Sequence, residues 1–297
     1  MRVIVSTIIV NYNAGELLHR CVNSLLKCPQ EIEIIVVDNA STDESLAPLQ
    51  GLPGVRIIDN PTNVGFAAAC NTGARVASGP FLLFLNPDCF FEPDALSQLL
   101  LIMDADARAG LATGLLRNMD GTEQVGGRRA VPTPWRSFVR AFGLAGLSRR
   151  WPRLFSDFNL HQQPLPKGPV EVEATSGACM LIRREAMDDV GDWDEEYFLH
   201  CEDLDLCMRF RQQGWKILFV PQALFIHDQG ACSRNRPIFV EWHKHKGMMR
   251  FYRKFFRHQY PGLLWPLVVF GVWLRFTLIA GYHGGRIAAA FVGGKNV

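Results

Sequence analysis

The chain has 297 residues, of which 48% are hydrophobic and 20% are charged. This composition excludes global disorder, and the length fits one large domain or one domain with an appendage. The formal net charge of +2 at pH 7 excludes no class of partner, but its distribution is uneven. No acidic residue lies between Glu123 and Asp157, a stretch that holds seven arginines.

Predicted strands and helices alternate along the first part of the chain. Residues 3–10 are almost continuously β-branched, which indicates a strand covered on both faces rather than a signal peptide. The alternation predicts an α/β fold with a mostly parallel sheet and right-handed crossovers. Further strands are predicted at residues 32–37, 55–58, 81–85, 111–115 and 217–220, and helices at residues 17–26, 65–76, 93–103, 202–213 and from Ser41 onward.

The eight cysteines form no C-x-x-C pair, so the sequence does not support a zinc site. Most lie in apolar stretches, as Cys179 does, which is typical of reduced and buried thiols. We therefore expect a reducing, cytosolic compartment.

Three predicted strands end in polar residues. In parallel sheets, ligands bind outside the carboxyl ends of the strands. Asp88 could hold Mg²⁺ or Mn²⁺ together with substrate phosphates, although a simple Asn-Pro turn explains the same tripeptide. Asp38 could accept a hydrogen bond from N3–H of a pyrimidine base, or it could cap the segment that follows. The three ends are Asn11-Tyr12-Asn13, Asp38-Asn39 and Asn86-Pro87-Asp88.

A pair of acidic residues begins the helix predicted at residues 202–213. Asp203 is a candidate general base for an acceptor hydroxyl, and the aromatic, acidic stretch from Trp193 before it suits a sugar. Glu202 and Asp203 could instead stabilise the helix N-terminus. Asp205 is expected to pair with Arg209 one helical turn later.

Two other positions are candidates for ligand contact. His227 follows a predicted strand and could complete a metal shell, preferably for Mn²⁺, although a lone histidine is usually structural. A turn at residues 60–65 leads into a helix of small residues. Close helix packing explains the alanines of that helix, but it does not explain Asn63, Gly65 and Asn71.

Two segments fall outside the α/β pattern. Residues 121–168 are rich in Arg, Pro and Gly and are interpreted as an insertion, either a solvated basic loop or a contact for anionic headgroups or a diphosphate. Residues 263–282 are apolar except for Arg275 and approach the length of a bilayer span. A membrane-surface helix, a shallow hairpin and a packed helix pair remain alternatives.

The ordered set of motifs resembles glycosyltransferase family 2. It comprises residues 8–13, 36–43, 63–67, 85–88, 176–184 and 202–209, followed by His227. The resemblance covers roughly residues 3–230 and is greatest to the rhamnosyltransferase-like branch of bacterial surface polysaccharide assembly. It implies a GT-A fold, a nucleoside-diphosphate sugar donor (dTDP-L-rhamnose in this branch) and inversion at the anomeric carbon.

The resemblance also implies roles for individual residues. Asp203 would be the catalytic base, and Asp88 the metal-binding end of the family's Asp-x-Asp motif. Asn86, where many members have Asp, reduces the charge near the metal, and Asp38-Asn39 replaces two acids. The remaining expected contacts are Asn11, Tyr12, Asp38, Asn63, Gly65, Asn71 and Asn86 for the donor nucleotide, Gly177, Trp193 and Glu202 for sugar or acceptor, and His227 for the metal or diphosphate.

These observations lead to one expected organisation. Residues 1–235 form the catalytic domain and residues 236–297 a basic, then apolar, membrane-associating tail. The expected partners are a divalent metal (Mn²⁺ or Mg²⁺), a nucleotide-sugar, a glycan or lipid-linked acceptor, and the anionic cytoplasmic face of the plasma membrane. No nucleic-acid motif is found, and the sequence leaves the oligomeric state and a bilayer crossing at residues 263–282 open.

Three other classes of function fit the sequence less well. A nucleotidyltransferase making the nucleotide-sugar needs a basic Gly-rich loop after the first strand, and residues 11–16 contain no Lys or Arg. A dehydrogenase is disfavoured because no G-x-G-x-x-G follows a strand. A non-catalytic, membrane-attached carbohydrate-binding module would retain the fold but would not require Asp88 and Asp203.

Overall fold

A nine-stranded mixed sheet forms the centre of the computed structural model, which describes residues 4–231 and 236–292. The strands are β1 (Val5–Asn11), β2 (Ile32–Asp38), β3 (Val55–Asp59), β4 (Phe81–Leu85), β5 (Cys89–Phe91), β6 (Ala109–Arg117), β7 (Arg128–Arg129), β8 (Val170–Glu171), β9 (Ala174–Thr175), β10 (Cys179–Arg183) and β11 (Lys216–His227). The spatial order of the strands in the sheet is β3-β2-β1-β4-β10-β6-β11-β5, with β8 added beside β11, while β7 and β9 pair separately.

The predicted mostly parallel sheet is confirmed. Strands β1, β2, β3 and β4 are parallel neighbours, and β6 pairs in parallel with β11. Strand β10 runs antiparallel between β4 and β6. The carboxyl ends of the parallel strands therefore meet the start of β10 at one edge of the sheet.

Helices cover both faces of the sheet. The α-helices of the described residues are α1 (Glu16–Leu25), α2 (Phe66–Val76), α3 (Ala95–Ala105), α4 (Pro134–Ala141), α5 (Arg184–Val190), α6 (Glu202–Gln212), α7 (Pro237–Phe255) and α8 (Leu264–Val292). Alternate residues of β1 enter two separate cores: Ile8 packs with α2 and α6, and Ile9 packs with α1 and α3. This two-sided burial explains the continuous apolar run that begins the sequence.

The prediction of a helix from Ser41 onward is wrong. This segment is a loop followed by a short 3-10 turn, Ala47–Leu49. The hydroxyls of Ser41 and Ser45 are bonded to Asn11, and Ser41 also donates to Asp38, so local side-chain bonds replace a helical cap.

Two other boundaries also differ from the prediction. The strand expected at residues 217–220 extends to His227, with a shift in pairing register between Val220 and Leu224. The insertion at residues 121–168 is less irregular than expected, since it contains α4. Thr133 caps this helix by accepting the backbone N–H of Arg136.

The described cysteines, from Cys21 to Cys207, are all free thiols, as expected, and Cys232 lies outside the described residues. The tail forms α7 and α8, which pack against each other. Arg275 of α8 points to α7, where its Nη1 lies 2.7 Å from Nε2 of His245. By length and composition alone, Leu264–Ile287 could cross a membrane, with a mean hydropathy of 1.7.

Candidate active site

The polar strand ends predicted to form a site lie at one edge of the sheet. Asn11 and Asp38 are directly paired in the register of β1 and β2. Ile9 of β1 pairs with Leu85 of β4, so the following residues of both strands emerge side by side. Sheet topology thus brings together three segments that are far apart in the chain.

Asp88 and Asp203 belong to the same edge. The backbone N–H of Asn86 donates to the carbonyl of Ala178 at 2.9 Å, which joins the end of β4 to the start of β10. One residue earlier, the N–H of Gly177 donates to Oδ2 of Asp203 at 3.1 Å. A Cβ added at Gly177 would lie 3.3 Å from Cβ of Asp203, so the glycine permits this close approach.

His227 ends β11 opposite Cys89 of β5, which places its imidazole beside Asp88. Nε2 of His227 lies 3.0 Å from Oδ1 of Asp88, and both side chains are buried. Nδ1 of His227 lies 2.7 Å from Oε1 of Gln124. The amide NH₂ of Gln124 donates to the carbonyl of His227 and to Oδ1 of Asn118, so Oε1 is left to accept the Nδ1 proton.

This hydrogen-bond pattern fits a divalent cation. With the proton on Nδ1, neutral His227 directs the lone pair of Nε2 towards the Asp88 carboxylate, and two facing acceptors are stabilised by a shared metal ion. Without a cation, a hydrogen bond between the two groups needs a proton between Nε2 of His227 and the Asp88 carboxyl group. The mixed nitrogen and oxygen donors suit Mn²⁺ better than Mg²⁺. Within residues 4–231 and 236–292, no group of three or more His, Cys, Asp or Glu side chains is placed to hold a metal ion, so diphosphate and water would supply the other ligands.

Asp203 is held by a residue that the sequence assigned to the Arg-rich insertion. Arg129 of β7 forms an ion pair with Oδ2 of Asp203 and donates to the carbonyl of Thr175. Burial alone would lower the pKa of Arg129, but the Asp203 charge more than offsets this and the pKa lies above its ordinary value. Among the described residues, Oδ1 of Asp203 accepts one hydrogen bond, from the N–H of Leu204 at 2.8 Å. A carboxylate has about four lone-pair positions, so one remains for a substrate hydroxyl.

Glu202 differs from its neighbour. It is 7% exposed, and its Oε2 is buried with no hydrogen-bond partner in the described structure. Burial, followed by the charge of Asp203, raises the pKa of Glu202 to about 8. A buried carboxyl group with a raised pKa, as at Glu202, is common at functional sites.

Asn11 and Asp38 form a tight network instead of an open acceptor pair. Asn11 Nδ2 donates to Oδ1 of Asp38 at 2.7 Å, and Oδ2 of Asp38 accepts the N–H of Ser41 at 2.9 Å. Asp38 thus stabilises the segment that follows it, which was its structural alternative, although this segment is a loop and not a helix. The amide oxygen of Asn11 is buried and has no hydrogen-bond partner in the part of the chain that the structure describes, and the half-buried Tyr12 lies next to Asn11 in the chain.

Two expected contact residues are instead occupied within the protein. The side chain of Asn71 donates to Trp193 O and to Glu195, and accepts the N–H of Trp193. Trp193 itself is 2% exposed and packs edge-on against Phe84. Both residues therefore position the loop before α6, and the structure does not place them against a ligand.

Two protein-family models match this chain. The model described as "Glycosyl transferase family 2" matches residues 6–191, and one described as "Glycosyl transferase family group 2" matches residues 99–292. The chain belongs to glycosyl transferase family 2. It is a glycosyltransferase, as the sequence motifs indicated.

Individual relatives agree with this family. The N-acetylglucosaminyl-diphospho-decaprenol L-rhamnosyltransferase of Mycobacterium tuberculosis is 31% identical over 247 residues, covering 79% of this chain and 79% of that protein. Rhamnosyltransferase WbbL of Escherichia coli K12 is 25% identical and covers 80% of this chain and 88% of its own length.

Solved structures share the fold. The mannosyltransferase PcManGT from Pyrobaculum calidifontis, in complex with GDP-Man and Mn²⁺, has a TM-score of 0.59 at 16% identity, covering 100% of this chain and 77% of that one. GalNAc-T7 with UDP, GalNAc and Mn²⁺ has a TM-score of 0.57 at 20% identity, covering 76% of this chain but only 44% of its own. The predicted GT-A fold is confirmed.

Gly65 of the glycosyltransferase allows the turn before α2 to meet the loop before α6. It has φ +90°, and an added Cβ would lie 2.8 Å from the carbonyl of Phe198. Asn63 accepts the N–H of Gly65 through its side chain, which keeps the turn in place.

Gly65→Ala is expected to destabilise the enzyme by about 2 kcal/mol, because it forces a strained φ and displaces Phe198. Urea unfolding measures the change. Gly146→Ala is the matched control, since Gly146 has no atom within 4 Å of an added Cβ and no positive φ. Equal stability of the two variants would contradict the strain argument.

Glu202→Gln is expected to stabilise the glycosyltransferase at pH 8 and to have little effect at pH 5. The folded state holds the Glu202 proton between its ordinary pKa of 4.5 and about 8, so stability falls as pH rises through this window. Gln has no charge to acquire, and the melting temperature at pH 8 should rise by on the order of 5 °C. Glu44→Gln, at an exposed loop position, is the control; a Glu202→Gln gain that is equal at both pH values would argue against a buried proton.

Proposed function

We propose that this glycosyltransferase moves one L-rhamnose from dTDP-rhamnose onto a lipid-linked glycan, with inversion at the anomeric carbon, in bacterial cell-surface polysaccharide synthesis. The observation that carries the proposal is that Asp88 and Asp203 flank one junction of the sheet. Asn86, two residues before Asp88, bonds to Ala178, and the neighbouring Gly177 bonds to Asp203. We propose that the diphosphate lies on the Asp88 side of this junction and the acceptor on the Asp203 side. The type of sugar and acceptor follows from the relatives whose names specify L-rhamnose and N-acetylglucosaminyl-diphospho-decaprenol.

In the proposed mechanism, Asp203 removes the proton from the acceptor hydroxyl as that oxygen attacks the anomeric carbon. Arg129 and the N–H of Gly177 both bind Oδ2, so they orient the carboxylate with Oδ1 available to the hydroxyl. The C–O bond to the diphosphate breaks as the new glycosidic bond forms on the opposite side. A single displacement of this kind inverts the configuration and needs one base.

The leaving diphosphate is proposed to lie near Asp88 and His227. A divalent metal held by these two residues would neutralise the charge that develops on the departing oxygen. Gln124 fixes the imidazole so that Nε2 faces the site. Asn86 is a neutral neighbour, with Nδ2 3.5 Å from Nε2 of His227, and adds no further negative charge.

On the nucleoside side, Asn11, Tyr12 and Asp38 are proposed to contact the base and ribose. The buried amide oxygen of Asn11 lacks a partner, so a donor group of the nucleoside can satisfy it. Asp38 then acts chiefly by holding Asn11. Gly65, Asn63 and Asn86 shape the donor side, while Gly177 and Glu202 border the sugar.

The tail is proposed to attach the enzyme to the cytoplasmic face of the plasma membrane without crossing it. One face of α8 contacts α7, where Arg275 reaches His245 and, at 3.7 Å, Glu241. Carrying these charged groups into hydrocarbon would be costly, so an in-plane position is favoured over a bilayer span. The opposite face remains available to lipid through the exposed side chains of Leu264, Leu267, Phe270, Leu274, Leu278 and Tyr282.

A donor panel tests the proposed reaction. The purified enzyme is incubated with Mn²⁺ and dTDP-rhamnose, UDP-GlcNAc or GDP-mannose, with and without a polyprenyl-diphosphate GlcNAc acceptor. Of the three donors, we expect only dTDP-rhamnose to release its nucleoside diphosphate, and we expect the acceptor to accelerate this release. NMR of the product should show an inverted anomeric configuration. Release of inorganic diphosphate from dTTP and a sugar phosphate would support the nucleotidyltransferase alternative instead. No turnover of any donor would support a non-catalytic binding module.

A further inference from the structure

An apolar patch covers the outer side of the insertion. We call it the insertion patch. Its rings contact one another, with centroids of Trp135 and Phe138 5.4 Å apart and of Phe138 and Phe142 4.5 Å apart. The indole N–H of Trp135 donates to the carbonyl of Leu154, which ties the two ends of the patch together. Its exposed members are Trp135, Phe138, Phe142, Leu147, Trp151 and Leu154.

The seven arginines of this segment fall into two groups. Four form ion pairs within the protein: Arg128 with Glu123, Arg129 with Asp203, Arg136 with Glu173 and Arg140 with Asp157. The other three, Arg149, Arg150 and Arg153, are exposed and have no ion pair in the described part of the chain. These three lie beside Trp151 and Leu154, so unpaired positive charge borders exposed apolar side chains.

The insertion patch is continuous with the tail. The hydroxyl of Tyr252 in α7 donates to Ser137 of α4 at 2.7 Å. The side chain of Tyr260, four residues before α8 begins, lies near the backbone of Trp135. Leu263, at the same junction, is 82% exposed. The two apolar surfaces therefore start side by side on the molecule.

From these contacts we propose that the insertion patch enters the interfacial layer of an anionic bilayer and forms a second membrane contact beside α8. Trp side chains favour the boundary between headgroups and acyl chains, and the three free arginines complement lipid phosphates. A typical soluble surface does not expose a contiguous cluster of this composition. The inference rests on the proposed membrane association of the tail, but not on the identity of the donor or acceptor.

This contact would link the membrane to the catalytic carboxylate. Pro134, the first residue of α4, follows Arg129 by five positions, and Arg129 holds Asp203. The same short segment thus reaches from the bilayer surface to the base. A lipid-linked acceptor bound at the headgroup level would then meet Asp203 from the side of the insertion.

A fluorescent reporter tests the patch separately from the tail. Leu154→Cys of the full chain is labelled with NBD and mixed with vesicles of POPC and POPG at 3:1. We expect a blue shift and at least a twofold increase in emission, because the probe leaves water. Leu101→Cys is the matched control, since Leu101 is a similarly exposed leucine on α3, and its emission should not change. Unsubstituted protein treated with the dye gives the background from native thiols.

The outcomes distinguish the proposals. Flotation of the unlabelled enzyme with the vesicles tests membrane association, and dTDP release from the donor tests the enzyme activity. If the enzyme floats but the probe at position 154 stays in water, the insertion patch faces another protein or the solvent and the inference is wrong. If the enzyme does not float, both membrane proposals are wrong, while the activity remains independently tested.

A charge comparison tests the role of the arginines. Arg149→Gln/Arg153→Gln should weaken the probe's response to POPC:POPG vesicles by on the order of tenfold in lipid concentration. The response to pure POPC should be unaffected. Arg20→Gln/Arg56→Gln removes the same net charge from exposed positions outside the insertion, on α1 and β3, and serves as control. An equal loss in both pairs would show that only net charge matters and would refute headgroup contact by the patch.

Discussion

Asp203→Asn is expected to lower the transfer rate about 10³-fold while leaving the Kd for the donor within a few-fold of the unsubstituted enzyme. The amide cannot accept the acceptor proton, and general-base catalysis typically contributes about 10²–10⁴-fold. Donor binding should persist because the proposed nucleoside and diphosphate contacts lie at Asn11, Asp38 and Asp88. Single-turnover kinetics with dTDP-rhamnose and calorimetric binding of dTDP measure the two quantities. Asp188→Asn, at an exposed position on α5, is the matched control.

A structural loss must be separated from a chemical one in this experiment. Asp203→Asn leaves Arg129 buried without its counter-charge, and breaking a buried ion pair in this way costs about 3–5 kcal/mol. The double variant Arg129→Met/Asp203→Asn removes both charges and should recover much of the melting temperature. It should not recover transfer. Recovery of both would show that Asp203 only balances Arg129 and would remove it from the role of base.

Arg129→Met alone asks whether the arginine positions the base. We expect kcat to fall about tenfold to a hundredfold, with KM for the donor nearly unchanged, because the carboxylate loses one of the contacts that orient it. Arg129→Lys should restore part of the rate. A larger effect on donor KM than on kcat would indicate that Arg129 binds the diphosphate instead.

The sheet could be predicted well because its signals are local and strong. The strands near residues 3–10 and 81–85 are continuous apolar runs, and burial on both faces leaves few alternatives. The segment after Asp38 could not be predicted, because the partners of Ser41 and Ser45 come from Asn11, about 30 positions away. Acidic and hydroxyl residues look the same in a helix cap and in such a loop.

The candidate site was predicted in part. Asp88, His227, Gly177 and Asp203 do lie together, since polar residues at strand ends share an edge by topology. The sequence alone assigns Arg129 to a group of solvated or lipid-facing arginines. Pairing of its side chain with a distant acid leaves no pattern in a single sequence. The adjacent Ala130-Val131, which is buried, was the available sign that this arginine enters the packed interior.

Residues that act through another residue were the hardest to find. Gln124 looks like an ordinary polar loop residue, and only its two donated hydrogen bonds reveal that it sets the tautomer of His227. Asn71 is a second example: its amide joins α2 to the loop before α6, and a polar residue in a small-residue helix gives no sign of these bonds in the sequence. Both cases depend on contacts over about 100 positions of chain.

Loss of the proposed metal ligands Asp88 and His227 is expected to have the second-largest effect on activity. Asp88→Asn should lower kcat/KM by about 10²–10³-fold at a fixed Mn²⁺ concentration, because the site loses the carboxylate whose Oδ1 lies 3.0 Å from Nε2 of His227. His227→Ala should produce a similar loss. His258→Ala, an exposed position in the turn before α8, is the control. Binding of Mn²⁺ in the presence of dTDP, followed by electron paramagnetic resonance, gives a readout that does not depend on turnover.

Gln124→Leu distinguishes a metal site from an ion pair between Asp88 and a charged His227. Leu cannot accept the Nδ1 proton, so the imidazole loses the bond that directs the Nε2 lone pair towards Asp88. If a cation bridges the two side chains, the affinity for Mn²⁺ should fall about 10–100-fold, the usual effect of losing such a supporting contact, and excess Mn²⁺ should restore the rate. If His227 is instead a charged donor to Asp88, the Mn²⁺ dependence will be unchanged, and the metal must be held elsewhere or be dispensable. Whether the affinity for Mn²⁺ falls or stays unchanged in Gln124→Leu therefore decides whether Nε2 of His227 directs a lone pair or a proton towards Asp88.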